Sequence, residues 1–298
     1  MPTRTLPTST GPNLTGEVQL RFQPRLVRRD LRVTRVETIT PRYRRIVLTG
    51  DDLRTGFPYL PFTPGDHVKV YFPHPESGVI VAYRPVGDPN DDEWEVDSDA
   101  GEPVLRDYTV RGWDPETHEL TFDFVVHEHG VAGVWARNAQ PGDEVVVMGP
   151  RANWLLPENY GHYLAAGDET ALPAISRIIE EAPAGAHVTA LIEIANAAEE
   201  QSLTPPPGVT VDLAWVHRNT APIAAGHLSA LETAVRAVRL PADPSRLFAF
   251  AAGEAGAITP IRRYLRREVG LPKRQTHIDG YWKRGHADHD HHETDDDE

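Results

Sequence analysis

The chain has 298 residues, enough for two domains or one large one, and 40% of them are hydrophobic, which suffices for folded cores. It contains no cysteine, so disulfides, thiolate nucleophiles and cysteine-ligated iron–sulfur clusters are excluded together, and any redox chemistry must use a bound cofactor. The net charge is −14, and seven acidic side chains with no basic one stand in the last thirteen residues; such a balance argues against a nucleic-acid partner.

The N-terminal stretch MPTRTLPTSTGPNLTG is rich in Pro, Thr and Gly and has no apolar segment of the kind a secretory leader needs. Residues 1–28 are therefore expected to be a flexible lead-in. No run approaches the ~18 apolar residues of a membrane span, so no membrane partner is expected. The lack of a leader and of disulfides fits the cytoplasm, and a monomer is expected. Strand signals dominate the next hundred residues. Leu31–Thr38 and Tyr43–Thr49 are rich in β-branched residues, and His67–Phe72 alternates and stops at Pro73. Residues 87–103 read as a solvated acidic loop insertion. Residues 106–111, RDYTVR, form a strand, and Glu119–Val126 alternates with Leu120, Phe122, Phe124 and Val126 on one face. One short helix, Gly133–Ala139, precedes the turn at Pro141-Gly142-Asp143 and the strand Glu144–Met148. Short strands at this spacing predict a small antiparallel barrel over residues 29–152.

From about residue 160 the pattern changes to alternating strands and helices. A strand over Tyr163–Ala166 leads into Gly167–Thr170 and a helix from Ala171 to Glu181, with Pro173 tolerated in its first turn. Strands follow at Val188–Ile194 and Val209–Val216, a helix at Ala224–Val238, a strand at Leu247–Ala251 and a helix at Ile258–Glu268. This order predicts an α/β domain with a parallel sheet over residues 153–285. Residues 286–298 read as a disordered His/Asp-rich tail, in which His286, His289, His291 and His292 lie among carboxylates. No fixed spacing imposes a metal geometry there, so no metal site is expected.

Three groups of residues carry chemistry. In RDYTVR, Arg106 brings a planar cation suited to phosphate, Tyr108 a flat ring that can stack on an isoalloxazine, and Thr109 a hydroxyl for a flavin nitrogen. Strand alternation sets Arg106 and Tyr108 on one face and Thr109 on the other. The glycines of His129-Gly130-Val131-Ala132-Gly133 precede the short helix, where free N–H groups and the dipole favour a pyrophosphate. Gly167–Thr170 and Ala251–Glu254 (AAGE) lie at the ends of two strands of the parallel sheet, where open α/β sheets bind ligands, although no G-x-G-x-x-G fingerprint is present.

These strings occur together in order. DHVKVYFP (66–73), RDYTVR (106–111), FVVHEHGVAGVWARNAQPGDEVVVMGP (124–150), GDETALPAI (167–175), AAGE (251–254) and GYWKRG (280–285) resemble the siderophore-interacting, or ferric-siderophore reductase, branch of the ferredoxin–NADP reductase superfamily. The resemblance implies an FAD-binding β-barrel followed by an α/β domain that binds NADPH or NADH, with a ferric siderophore as electron acceptor. It implies that Arg106, Tyr108 and Thr109 hold the flavin and its phosphates, and that His127 and the turn of Gly130, Ala132, Gly133, Val134 and Trp135 hold the rest of the FAD. Asp168, Glu169 and Thr170 would border the nicotinamide side, and Tyr281 and Trp282 would wall the flavin pocket. The catalytic set expected is Tyr108, Thr109, Lys283 and Arg284. The chemistry is consistent with this, because a nicotinamide delivers a hydride, ferric iron accepts one electron, and a flavin mediates between them. Hard siderophore oxygens hold Fe(III) tightly, and reduction to Fe(II) loosens that hold.

An anionic ferric chelate needs a local basic patch, for which Lys69, Arg84, Arg151, Lys283 and Arg284 are candidates. Arg218, after a strand of the α/β domain, suits the extra phosphate of NADPH, whereas Glu193 at the end of the preceding strand suits a ribose hydroxyl. Two alternatives stand beside this reading: a flavin reductase of the same superfamily with another acceptor, and a metal-binding protein acting through its His-rich tail. Ferric siderophore assayed against free flavin and cytochrome separates the first, and equilibrium dialysis of a tail-free chain the second.

Overall fold

The computed structural model describes residues 11–86, 93–128, 130–218 and 228–286. Two compact units divide the chain: Leu20–Leu155 make up the first, and Pro12–Gln19 with the chain from Leu156 onward make up the second.

The first unit opens with β1 (Gln19–Phe22), β2 (Arg28–Thr40), β3 (Tyr43–Thr49) and β4 (His67–Tyr71). The short pair β5 (Tyr83–Pro85) and β6 (Trp94–Val96) follows, then β7 (Leu105–Thr109), β8 (Gly112–Asp114) and β9 (Glu119–Val125). Helix α1 (Val131–Asn138), β10 (Glu144–Met148) and β11 (Ala152–Leu155) complete the unit. Seven of these strands form one antiparallel sheet in the order β7-β4-β10-β2-β3-β9-β8. It curls until Tyr108 on β7 meets Phe124 on β9, their ring centroids 4.3 Å apart. The enclosed core is built from the inward residues of each strand, among them Leu31, Val33, Ile46, Leu48, Val68, Val70, Leu120, Phe122, Phe124, Val145 and Val147. Burying each such side chain contributes ~1.5–3 kcal/mol, so period-2 alternation closes the barrel.

Two expectations change here. The lead-in is structured from residue 11 onward, where it is described. Asn13 is buried, its amide N–H donating to Glu158 Oε1 at 3.1 Å and its side chain to Glu17 O at 2.9 Å, and β1 pairs with β11. Polar backbone satisfied by side chains, a signal invisible to hydropathy, holds this stretch. The acidic insertion is also rooted. β5 and β6 pair from Tyr83↔Val96 to Pro85↔Trp94, and Asp97 receives Arg28 Nη1 at 2.5 Å and the Ala82 amide at 3.0 Å. Trp94 packs against a second small core of Tyr71, Ala82, Val146 and Met148, so only part of residues 87–103 reads as solvated loop; residues 87–92 lie outside the described residues.

The second unit continues with β12 (His162–Asp168), α2 (Leu172–Glu181), β13 (His187–Ile194), β14 (Thr210–His217), α3 (Ala230–Ala237), β15 (Leu247–Glu254), α4 (Ala255–Arg263) and β16 (Thr276–Trp282). All five strands are parallel, in the order β14-β13-β12-β15-β16. One face carries α3 and α4, whose Leu231, Val235, Ile258 and Ile261 bury Leu164, Ala166, Leu191, Ala249 and Ala251. Gly167 faces α2: a Cβ placed there would lie 2.7 Å from Ala171 Cβ and 2.3 Å from Ala252 O, so β12, β15 and α2 close tightly only around a glycine. Helix α3 begins at Ala230 rather than at 224, because the Ser229 hydroxyl accepts from the Glu232 amide at 3.0 Å and caps it; residues 224–227 lie outside the described residues. Helix α4 starts at Ala255, before Ile258, because Glu254 caps it by accepting from the Ala257 amide at 2.9 Å. Among the described residues no helix is long and apolar enough to cross a membrane.

Candidate functional site

In the first unit the register of β4 with β7 places Arg106 opposite Val70 and Tyr108 opposite Val68, both core residues, while Asp107 stands opposite Lys69 on the outer side. Arg106 and Tyr108 thus share the inner face and Thr109, which is buried, takes the other. Tyr108 is half-buried and belongs to an aromatic cluster. Its ring lies 4.3 Å from Phe124 and 6.1 Å from Phe72, and Trp135 of α1 touches the same two rings at 5.6 and 5.2 Å. Burial raises the Tyr108 pKa above the ordinary phenol value, so the hydroxyl keeps its proton and remains a donor. The cluster fixes the rotamer of the ring that sequence reading assigned to a flavin.

Helix α1 has a polarity suited to phosphate. Gly130 precedes it at φ +78°, its first turn carries no acidic residue, and no side chain caps it. At the other end Arg44 of β3 donates to the carbonyls of Ala136 (2.7 Å), Arg137 and Ala139 (3.4 Å), placing a cation on the negative pole of the dipole. His127 lies exposed over this turn: a Cβ on Gly133 would sit 2.5 Å from its Nε2, and one on Gly130 3.3 Å from its Cε1. A glycine at 133 is what lets the imidazole rest against the helix start. An uncapped helix N-terminus without acids fits the pyrophosphate of a dinucleotide. His129 lies outside the described residues.

The second unit builds its site where strand order reverses. From β12 the chain steps outward through β13 and β14, then returns to the other side of β12 with β15, so the carboxyl ends of β12 and β15 form the switch point. Asp168 stands there, 5% exposed. Its Oδ1 accepts from the amide and hydroxyl of Thr170 at 2.9 and 2.5 Å. Its Oδ2 accepts from the Glu254 amide at 2.8 Å and from Trp282 Nε1 at 2.9 Å. One carboxylate thereby joins the ends of β12, β15 and β16. Burial, and secondarily the neighbouring Glu169, push its pKa above the usual carboxylate range, against the donors of Thr170 and Trp282. Gly253, at φ +146°, lies so close that a Cβ would stand 2.7 Å from Asp168 Oδ2.

Beyond this knot the turn Lys283–His286 leaves the sheet edge. Glu254 Oε1 accepts from the Arg284 amide at 3.2 Å, and the side chains of Lys283 and Arg284 are exposed. Of the other candidates for a basic patch, Lys69 pairs with Asp107 at 3.1 Å and Arg84 with Glu95 at 2.6 Å, while Arg151 is exposed. On the far side of β12, Arg218 and Glu193 do not compete as the sequence suggests but join. Arg218 Nε donates to Glu193 Oε1 at 2.8 Å, its Nη1 to Glu169 Oε1 at 2.9 Å and its Nη2 to Glu169 Oε2, and these hydrogen bonds outweigh burial to raise its pKa. Sequence reading placed Glu254 in the AAGE loop at a ligand-binding edge, but not as the residue that caps α4 and holds the Arg284 turn, and it missed β16 as a strand. THIDGYW offers few apolar residues, and His277 earns its burial by stacking on Phe250 at 5.5 Å and 10°.

An antiparallel barrel with an Arg-x-Tyr-Thr strand is followed by a five-stranded parallel sheet, a fold shared with the ferredoxin reductase in carbazole 1,9a-dioxygenase at 14% identity and a TM-score of 0.58. Residues 32–154 match the siderophore-interacting FAD-binding domain, and residues 160–285 the siderophore-interacting protein model. The chain belongs to the siderophore-interacting protein family. It is 32% identical over 281 residues to the ferric vibriobactin reductase ViuB of Vibrio cholerae, spanning 94% of this chain and 96% of that protein. It is 32% identical over 267 residues to the NADPH-dependent ferric-chelate reductase of Escherichia coli K12, with coverage of 87% and 96%. A siderophore utilization protein from T. fusca superposes with a TM-score of 0.79 at 44% identity, covering 93% of this chain and all of that one. FAD is the cofactor of the barrel domain.

Proposed function

We propose that this protein is a cytoplasmic NAD(P)H:ferric-siderophore oxidoreductase that reduces chelated Fe(III) to Fe(II) so that the iron is released. The relatives named above as ferric reductases support the reaction class, and the name of the Escherichia coli relative supports a nicotinamide donor. The observation that carries the reading is the Asp168 knot at the switch point, because it ties Trp282, and with it the Lys283–Arg284 turn, to the edge where α/β sheets bind ligands.

Bound FAD turns the hydride of a nicotinamide into the single electrons that ferric iron accepts. Arg106 supplies a permanent cation for phosphate oxygens, the start of α1 supplies backbone N–H groups for the pyrophosphate, and Tyr108 keeps a protonated hydroxyl on a ring held by Phe72 and Phe124. Thr109, buried on the opposite face of β7, offers a hydroxyl. In the second unit Asp168, Glu169 and Thr170 border the dinucleotide, with Thr170 fixed by its two bonds to Asp168. Tyr281 and Trp282 line the same edge on β16. Lys283 and Arg284, exposed and without an ion pair among the described residues, attract an anionic chelate.

Replacing Lys283 and Arg284 together by Gln tests this. The KM for an anionic ferric siderophore should rise about tenfold, losing its dependence on salt, while NAD(P)H oxidation with a neutral acceptor stays unchanged. An unchanged KM moves the chelate site away from β16.

A further inference from the structure

The network at the carboxyl ends of β12, β13 and β14 bears on which nicotinamide is used. Arg218 is 30% exposed, and each of its three nitrogens donates to a carboxylate, two to Glu169 and one to Glu193. The trio carries two negative charges and one positive, a net charge of −1. The neighbouring imidazole is engaged as well: His217, the last residue of β14, pairs with Glu200 Oε1 at 2.9 Å. Among the described residues of these three strand ends, Arg218 and His217 both already face a glutamate. Glu193 spends only Oε1 on Arg218, and among the described residues its Oε2 has no donor.

A 2′-phosphate and a ribose diol make opposite demands on such a place. The phosphate brings close to two negative charges and needs cations with free N–H groups. It would have to strip Arg218 from two carboxylates and leave both beside it. The diol brings donors, which an open carboxylate oxygen accepts. An acid near the end of the second strand of such a sheet is the usual ribose acceptor, and Glu193 occupies that position, in register with Asp168 on β12.

We infer that the Glu169–Arg218–Glu193 network makes NADH the preferred donor over NADPH, with Glu193 Oε2 accepting from the adenosine ribose and Arg218 serving to position that glutamate rather than to bind phosphate. This rests on the proposed NAD(P)H-dependent function.

The test uses the FAD-loaded full chain under anaerobic conditions, following loss of flavin absorbance against NADH and NADPH concentration. The wild type should reduce at least tenfold more efficiently with NADH, a difference of ~1.4 kcal/mol. Glu193→Gln should weaken NADH binding and narrow the ratio about tenfold. Glu169→Gln, which frees two donors of Arg218, should narrow it through tighter NADPH binding. Both changes should appear in the apparent Kd and not in the limiting rate, a split that a general loss of structure would not produce. A wild type that prefers NADPH or shows no preference overturns the inference, as does a ratio unmoved by both variants. If neither dinucleotide bleaches the flavin, the functional reading falls and takes this inference with it.

Discussion

At the scale of single residues, Asp168 concentrates the consequences. It is buried, accepts four hydrogen bonds from three residues, and has a pKa raised by burial and by Glu169. The unfolded chain has an ordinary Asp near 3.9, so above that value the native state retains a proton the unfolded state has lost. This contribution to stability is therefore fully present below pH ~4 and is lost as the pH rises through the native value. Asp168→Asn removes the titration and turns an amide N–H toward the donors of Glu254, Trp282 or Thr170, a cost of ~1–3 kcal/mol. Urea melts between pH 4 and 8 should show the variant less stable, with the gap from wild type shrinking as pH rises. A gap that is flat or widens contradicts the assignment. The sequence flagged this Asp through GDETALPAI, and the strand reading placed it at a ligand-binding edge. Its partners were out of reach, because a contact between residues 168 and 282 leaves no local periodicity.

At the scale of elements, α1 shows how one side chain orients a binding surface. Arg44 takes the carbonyls at its C-terminus, while the N-terminus has neither a capping side chain nor an acid. Arg44→Ala leaves carbonyls without a donor and removes a favourable charge–dipole interaction, together ~1–3 kcal/mol. The melting temperature should fall, and retention of FAD should fall with it, since the donors of the first turn lose their fixed direction. Full FAD occupancy in a destabilised Arg44→Ala protein would separate the helix from the cofactor. Strands with clean alternation, such as β9 and β10, were legible within one or two residues, because a buried face demands period 2. β1, β5, β6, β8, β11 and β16 were not: they are short or polar, and pairing and side-chain hydrogen bonds hold them instead of hydropathy. The starts of α3 and α4 follow the caps at Ser229 and Glu254, which outrank the apolar pattern in setting where a helix begins.

At the scale of the whole molecule, the order of a β-rich half and an alternating half fixed both architectures, since an amphipathic strand pattern and a strand–helix alternation each admit few packings. What the sequence left open was the relation between charged residues. Arg218 read as a phosphate ligand and Glu193 as a ribose acceptor until the sheet set them side by side, and Lys69 and Arg84 read as candidates for a basic patch until Asp107 and Glu95 were found opposite them. On the proposed function, the chain carries FAD and passes electrons from a reduced nicotinamide to chelated ferric iron. The most direct measurement is an anaerobic titration of the purified, FAD-loaded protein with NAD(P)H, followed by addition of a ferric siderophore with an Fe(II)-specific chromophoric chelator present. The protein should be yellow, lose its flavin absorbance with the nicotinamide and recover it on adding the siderophore, with two Fe(II) appearing per NAD(P)H consumed. A colourless protein that takes up no FAD, or a reduced flavin that ferric siderophore does not reoxidise, would contradict it.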